Sequence, residues 1–214
     1  MYYTYKQKNE LAATEDKTLP YCPVIKIIFS AIIIVMLSAS ALMAQKTYSL
    51  DKNHARVGFS VVHFGISHIE GNFKIIDATL DSKKADFTDA AISFTADVHS
   101  INTEVTYRDN DLKSANYFDA DKFPSINFIS TSFKKLSGKN YKLFGNITIH
   151  GITKSIALNV VYNGQAVTAM KKPTAGFTIK GQLNRLDFGV GGPVLSGVGN
   201  EIELRANMEF TISE

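Results

Sequence analysis

Residues Glu201–Ile212 read EIELRANMEFTI. Ile202, Leu204, Ala206, Met208, Phe210 and Ile212 alternate without a break with Glu201, Glu203, Arg205, Asn207, Glu209 and Thr211. Successive side chains of a strand point to opposite faces. Six repeats of polar-then-apolar therefore spell a strand with one wet face and one dry face. The same period recurs upstream. AISFTADV sets Ile92, Phe94, Ala96 and Val98 on one side, and YKLFGNITI does so with Tyr141, Leu143, Gly145, Ile147 and Ile149. SIALNVVY aligns Ile156, Leu158, Val160 and Tyr162; FTIKGQL aligns Phe177, Ile179, Gly181 and Leu183. GNFKIIDATL changes phase at Ile75–Ile76, which predicts a bulge, and SINFISTSF slips after Phe128. Turn residues separate the runs: 137–140, His150-Gly151, Asn163-Gly164 and 197–200. Six or more such strands with short connections argue for an antiparallel all-β sandwich or barrel. A closed barrel of about eight strands removes its edges and can hold a small ligand.

One stretch breaks the pattern, YRDNDLKSANYFDADKFPSINF at Tyr107–Phe128. Val105, Leu112 and Ala115 have helical spacing, which predicts a short helix over Tyr107–Asn116 inserted between strands. Lys113 follows Asp109 by four residues, the favourable order for an ion pair on a helix. Phe123 precedes a proline and is expected to be extended.

Composition narrows the function. The chain is 45% hydrophobic and 20% charged, an ordinary globular balance. The formal net charge is only +3 and the lysines are scattered, so no basic face for nucleic acid emerges. Residues 27–43, IIFSAIIIVMLSASALM, carry no charge, follow Lys6, Lys8, Lys17 and Lys26, and end in small residues. That is the layout of a secretory signal peptide. It predicts a leader with an N-terminal extension over residues 1–44, cut near Ala41 or Ala44, and a single exported domain over 45–214 in the periplasm. The run is just short of the ~20 residues that span a bilayer. Cys22 is the one cysteine and lies in the leader. The processed chain thus has no disulfide, no thiol nucleophile and no thiolate ligand.

The usual catalytic and metal signatures are absent. His54, His63, His68, His99 and His150 show neither the i, i+4 helical spacing nor the i, i+2 strand spacing of metal ligands. Asp109 and Asp111 are two apart and would point roughly 200° away from each other on a helix. Asp119 and Asp121 lie in a turn, where aspartates bond their own backbone. There is no G-x-S-x-G, and GGPVLSGVG lacks the lysine of a phosphate loop, leaving a flexible loop over 189–199. The positive feature is apolar: 14 Phe and 9 Tyr, no Trp. Many of the Phe fall on dry faces, while Ala96, Gly145, Gly181 and Ala206 are small dry-face residues that would leave room inside a barrel.

Four blocks in this order, SLDKNHARVGFSVVHFGISHIEGNF (49–73), RDNDLKSANYFDADKFPSINFIS (108–130), GNITIHGITKSI (145–156) and NRLDFGV (184–190), make the chain similar to the YceI-like family of polyisoprenoid-binding periplasmic proteins. The resemblance covers about Tyr48 to Ile212. It implies an extended lipocalin-like barrel of eight antiparallel strands with a helix beside it, an apolar tunnel for a long-chain isoprenoid, and no catalytic residues. It also implies no cofactor beyond a bound lipid such as a polyprenyl quinone or polyprenyl phosphate, and it is compatible with transient membrane contact and with a homodimer. The chain departs from the family at Asp111, where relatives often carry His. On this reading the tunnel wall comprises Phe59, Val61, Phe73, Ile92, Phe94, Leu143, Ile147, Phe177 and Leu183, with Leu112 and Phe118 from the helix side. Arg108, Asp109, His150, Arg185 and Asp187 form either a polar mouth or a network pinning helix to barrel. Two other readings stay open. One is a hydrolase or isomerase using Asp109 and His150 as acid and base. The other is a β module with a filled core that binds a protein partner.

Overall fold

A computed structural model describes residues 45–168, 171–192 and 197–213. The predicted leader, with its cleavage site and Cys22, lies outside the described residues, as do residues 193–196 of the Gly-rich loop. Eleven strand segments follow in chain order. They are β1 (Lys46–Leu50), β2 (Arg56–His63), β3 (Ser67–Phe73), β4 (Ile76–Ser82), β5 (Ala91–Asp97), β6 (Ile101–Asn102), β7 (Ser125–Ser137), β8 (Asn140–Ile149), β9 (Ile152–Val167), β10 (Pro173–Asn184) and β11 (Val198–Ile212). Helix α1 (Thr106–Lys113) stands between β6 and β7, slightly shorter than its sequence pattern predicts.

Every pairing is antiparallel, and the ring β1-β4-β5-β7-β8-β9-β10-β11 closes through β11 onto β1. The remaining segments extend this ring. Toward one end, β11 pairs with β1 (Phe210↔Leu50), and β1 with β4 (Tyr48↔Leu80). Toward the other, β11 pairs with β2 (Leu204↔Phe59), β2 with β3, and β3 with β6. Thus β1/β2, β3/β4 and β5/β6 are three bent strands, and the architecture is the expected eight-stranded barrel with, among the described residues, one short helix. The phase change at Ile75–Ile76 is one of the bends. Phe73 and Ile76 are both buried although three residues apart, which a straight strand forbids, and Ile75 between them is turned out to solvent. Along β8 the alternation is strict: Tyr141, Leu143, Gly145, Ile147 and Ile149 are all buried.

The interior differs along its length. At the β4–β5 end, Phe87 is only 1% exposed and plugs the barrel. Its ring meets Tyr48, Tyr162 and Phe177 edge-on at 5.4–5.6 Å, and Phe177 in turn contacts Phe133 and Phe210. Two of the small dry-face residues do not open space here. The Phe128 ring occupies the position a side chain at Gly145 would need, and Leu158 does so at Gly181. These glycines seat their neighbours, a use of strand glycine that β-sheets favour where another group approaches closely. Gly145→Ala is therefore expected to force Phe128 aside and destabilise the barrel by about 1–3 kcal/mol, read as a lower urea midpoint.

The bend between β1 and β2 is held by Asp51. Its N–H donates to the Glu209 carbonyl (2.9 Å), Oδ1 accepts the Asn53 N–H (3.0 Å), and Oδ2 lies 2.8 Å from His54 Nδ1. The hydrogen bond to Asp51 raises the His54 pKa above its ordinary 6.5, and the same bond lowers Asp51 below 3.8. The Asp51 contribution is thus lost as pH falls through its lowered folded pKa. The His54 contribution is full below 6.5 and lost as pH rises through its raised folded pKa. An NMR titration should find the His54 midpoint above 6.5, and Asp51→Asn should bring it down.

Candidate functional site

Two apolar cavities lie inside the barrel, each about 120 Å³. The deeper one is lined by Ile92, Phe94, Ala96, Phe128, Leu143 and Ile147, among others. The second is lined by Phe59, Val61, Leu112, Tyr117, Phe118, Phe188 and Arg185. Phe73, Ile126, Ile149, Leu183 and Leu204 border both, so the two chambers are consecutive and only side chains separate them. Of the eleven wall residues expected from the sequence, ten border one chamber or both. Phe177 does not. Its inward direction follows from alternation, but the β10 register sets it beside the Phe87 plug, in solid aromatic core. A larger hollow of about 850 Å³ lies elsewhere, where the twisted sheet curves on its outer face. Arg56, Glu70, Lys180, Glu203 and Arg205 line it, and such a polar open groove offers an apolar chain no escape from water.

The five polar residues expected at a mouth do not form one group. Asp109 is buried, and its Oδ1 accepts hydrogen bonds from the Thr103 N–H (2.7 Å) and Oγ1–H (2.6 Å). Arg108 donates to the same residue, Nε to Oγ1 and Nη2 to the carbonyl, both at 2.8 Å. Both residues thus clamp α1 to the end of β6, and the expected Asp109–Lys113 pair is not made: burial commits the carboxylate to Thr103 instead. His150 sits in the β8–β9 turn. Its Nδ1–H donates to the Phe188 carbonyl (3.1 Å), and its ring packs edge-on against Phe123 at 4.7 Å. It pins the turn before β7 and the 3-10 turn Arg185–Phe188 to the barrel rim. Asp109 and His150 share no hydrogen bond or ion pair, and Asp187 is exposed. Removing the Asp109 carboxylate by Asp109→Ala would strand the buried Thr103 N–H, an expected loss of about 1–3 kcal/mol. Faster hydrogen exchange confined to α1 would report it.

Arg185 is different. It is 6% exposed and borders the second chamber. Its guanidinium donates to the carbonyls of Gly199 (3.0 Å), Val190 (3.0 Å) and Gly192 (2.8 Å), and to Asn200 Oδ1 (2.9 Å). Among the described residues no carboxylate pairs with it. Burial pulls its pKa below the ordinary value, yet an arginine stays protonated. Tyr117 borders the same chamber, its hydroxyl pKa raised first by burial and then by the Asp111 carboxylate, with Arg185 opposing. The chamber therefore has a wholly apolar wall, with the buried Arg185 guanidinium and the Tyr117 phenol packed behind it at its α1 end. Tyr117 and Thr103 escaped the sequence reading because neither sits in a periodic run. Asp111, the position of departure, belongs beside Tyr117. On the outer wall, Asp51, His54 and Glu209 bring one donor atom each within 4.8 Å, the one such trio among the described residues, and it serves the β1–β2 bend described above.

The sequence matches the model of the YceI-like domain over residues 48–210. A UPF0312 protein of Pseudomonas putida is 35% identical over 163 residues, covering 74% of this chain and 83% of that protein. Among solved structures, the Campylobacter jejuni YCEI protein is similar with a TM-score of 0.63 and 30% identity, covering 70% of this chain and 88% of that one. A polyisoprenoid binding domain from Saccharophagus degradans has the same fold at a TM-score of 0.57 and 12% identity, over 78% of this chain and 98% of that one.

Proposed function

The chain belongs to the YceI-like domain family, and on that premise we propose that it binds a long-chain isoprenoid, or a similar amphipathic lipid, inside the barrel as a carrier or sequestering protein. The observation that carries this reading is the pair of consecutive apolar chambers with Arg185 and Tyr117 at one end and the Phe87 plug at the other. An isoprenoid tail would thread from the α1 end toward the plug and part the side chains that border both chambers. Taking apolar surface out of water yields about 25 cal/mol per Å2, set against the cost of ordering the chain. The polar head, a quinone carbonyl or a phosphate, would stop at Arg185 and Tyr117. Arg185 donates four hydrogen bonds, which leaves one of its five N–H groups for a head group that parts the apolar lining to reach it. The polyisoprenoid binding described for the Saccharophagus degradans domain supports the choice of ligand class. The basic, apolar and small-residue order of residues 1–44 supports an exported, periplasmic setting, which N-terminal sequencing of protein recovered from cells would test by a start at Leu42 or Gln45.

Solvent extraction of the purified protein followed by mass spectrometry should release a long-chain isoprenoid, and stripped protein should rebind an added polyprenyl quinone. Finding neither would overturn the proposal. Tyr117→Phe is expected to weaken quinone binding roughly three- to tenfold, the worth of one hydrogen bond, without lowering the unfolding midpoint.

A further inference from the structure

Among the described residues, five of the eleven large exposed apolar side chains lie on one rim, the others being scattered over the wall and the far end. At the β2–β3 hairpin tip, Phe64 is 63% and Ile66 88% exposed. β6 runs antiparallel to β3, so the chain beyond Asn102 heads back toward that tip, carrying Val105 (44% exposed) and Tyr107 (82%). Ile152 is exposed at the β8–β9 turn on the same rim. This rim is also where the second chamber ends. Phe64 N–H donates to the Gly197 carbonyl, and the next residue, Val198, pairs with His63 and lines that chamber together with Arg185.

The turn itself is built against its own stability. Phe64 (φ 50°) and Gly65 (φ 71°) both have positive φ, the sign pattern of a type I′ turn, closed by Ile66 N–H to the His63 carbonyl (3.1 Å). Such turns favour Asn-Gly, and a bulky residue at positive φ is strained. An aromatic ring, resting on His63 and Gly197 but still mostly exposed, thus sits at the tip where a small polar residue would suit the turn better. The ionisable groups around this rim are of both signs, Arg108, Lys113, Lys122 and Lys154 against Glu104, Asp111, Asp119, Asp121 and Asp187.

We propose that this rim docks on a lipid bilayer, Phe64 and Ile66 entering its interface, so that ligand passes between membrane and chamber without crossing water. The purpose assigned to the contact rests on the isoprenoid-binding reading above; the contact itself does not. Mixed charge means that insertion of apolar side chains drives it, with little preference for anionic lipid.

The barrel closes within residues 46–212, so the processed protein beginning at Gln45 contains the whole fold and none of the apolar leader. Its partition would be measured by flotation with vesicles of phosphatidylcholine alone and of phosphatidylcholine with phosphatidylglycerol. Comparable binding to both is expected. The double variant Phe64→Asn, Ile66→Ser should lose at least tenfold in partition, since each large apolar side chain contributes on its own. It should unfold no earlier than the parent protein, because Asn suits the turn, and it should still bind polyprenyl quinone in detergent. Equal partition of variant and parent would overturn the proposal, as would a parent protein that binds quinone but ignores vesicles. A concentration-dependent dimer in sedimentation that the double variant abolishes, with no vesicle binding, would instead assign the rim to a second copy of the chain. Partition without quinone binding would keep the docking surface and remove the ligand reading.

Discussion

β11 is paired on both edges along most of its length, with β10 on one side and with β1 and β2 in succession on the other. Everything else in the molecule depends on that double use. Closing the ring removes the sheet edges that would otherwise template association, and it converts one dry face into an enclosed interior. One strand can serve two partners only because β1 and β2 are separated by a bend, which Asp51 locks against the Glu209 carbonyl and His54. The bends at 74–75 and 98–100 repeat the device on the next two strands.

The two ends of this interior are finished differently, and that difference gives the barrel a direction. Phe87 and its aromatic neighbours close one end with packed rings. At the other, β6 is only two residues long and pairs with β3 alone, so a helix covers what a strand would have closed. Helix α1 has little apolar surface of its own; it is held by the hydrogen bonds of Arg108 and Asp109 to Thr103. A cover fixed at one residue by polar bonds, over a chamber it lines with Leu112, is the natural place for a chain-like ligand to enter. The buried charge of Arg185 and the apolar rim of Phe64 and Ile66 lie at that same end.

The acidic stretch Tyr107–Phe128 shows how much local reading yields. Its helical spacing and its terminating turn are local properties, and both are found in the structure. Whether Asp109 is an acid, a ligand or an anchor is not readable from period. Its partner Thr103 sits six residues earlier in an irregular segment, where no periodic pattern marks it. Likewise, Gly145 and Gly181 read as vacant space on a dry face, because a sequence displays what a residue lacks and not what its neighbours extend. Phe177 points inward as its period demands, yet its depth in the barrel follows from inter-strand register, to which alternation is blind.

The sequence by itself determined the runs that become β3–β5 and β7–β11, their wet and dry faces, the kink at Ile75–Ile76 and the helical interruption, and its ordered blocks pointed to the family. These follow from the period of side chains along an extended chain and from turn chemistry, both short-range. The tertiary structure alone decided that β11 closes the ring, that the interior divides into two chambers and an aromatic plug, and that Arg185 is buried with no carboxylate partner among the described residues. Each of those depends on which distant strands hydrogen-bond and in what register, and a pattern of period two is the same for every register that keeps its dry face inward.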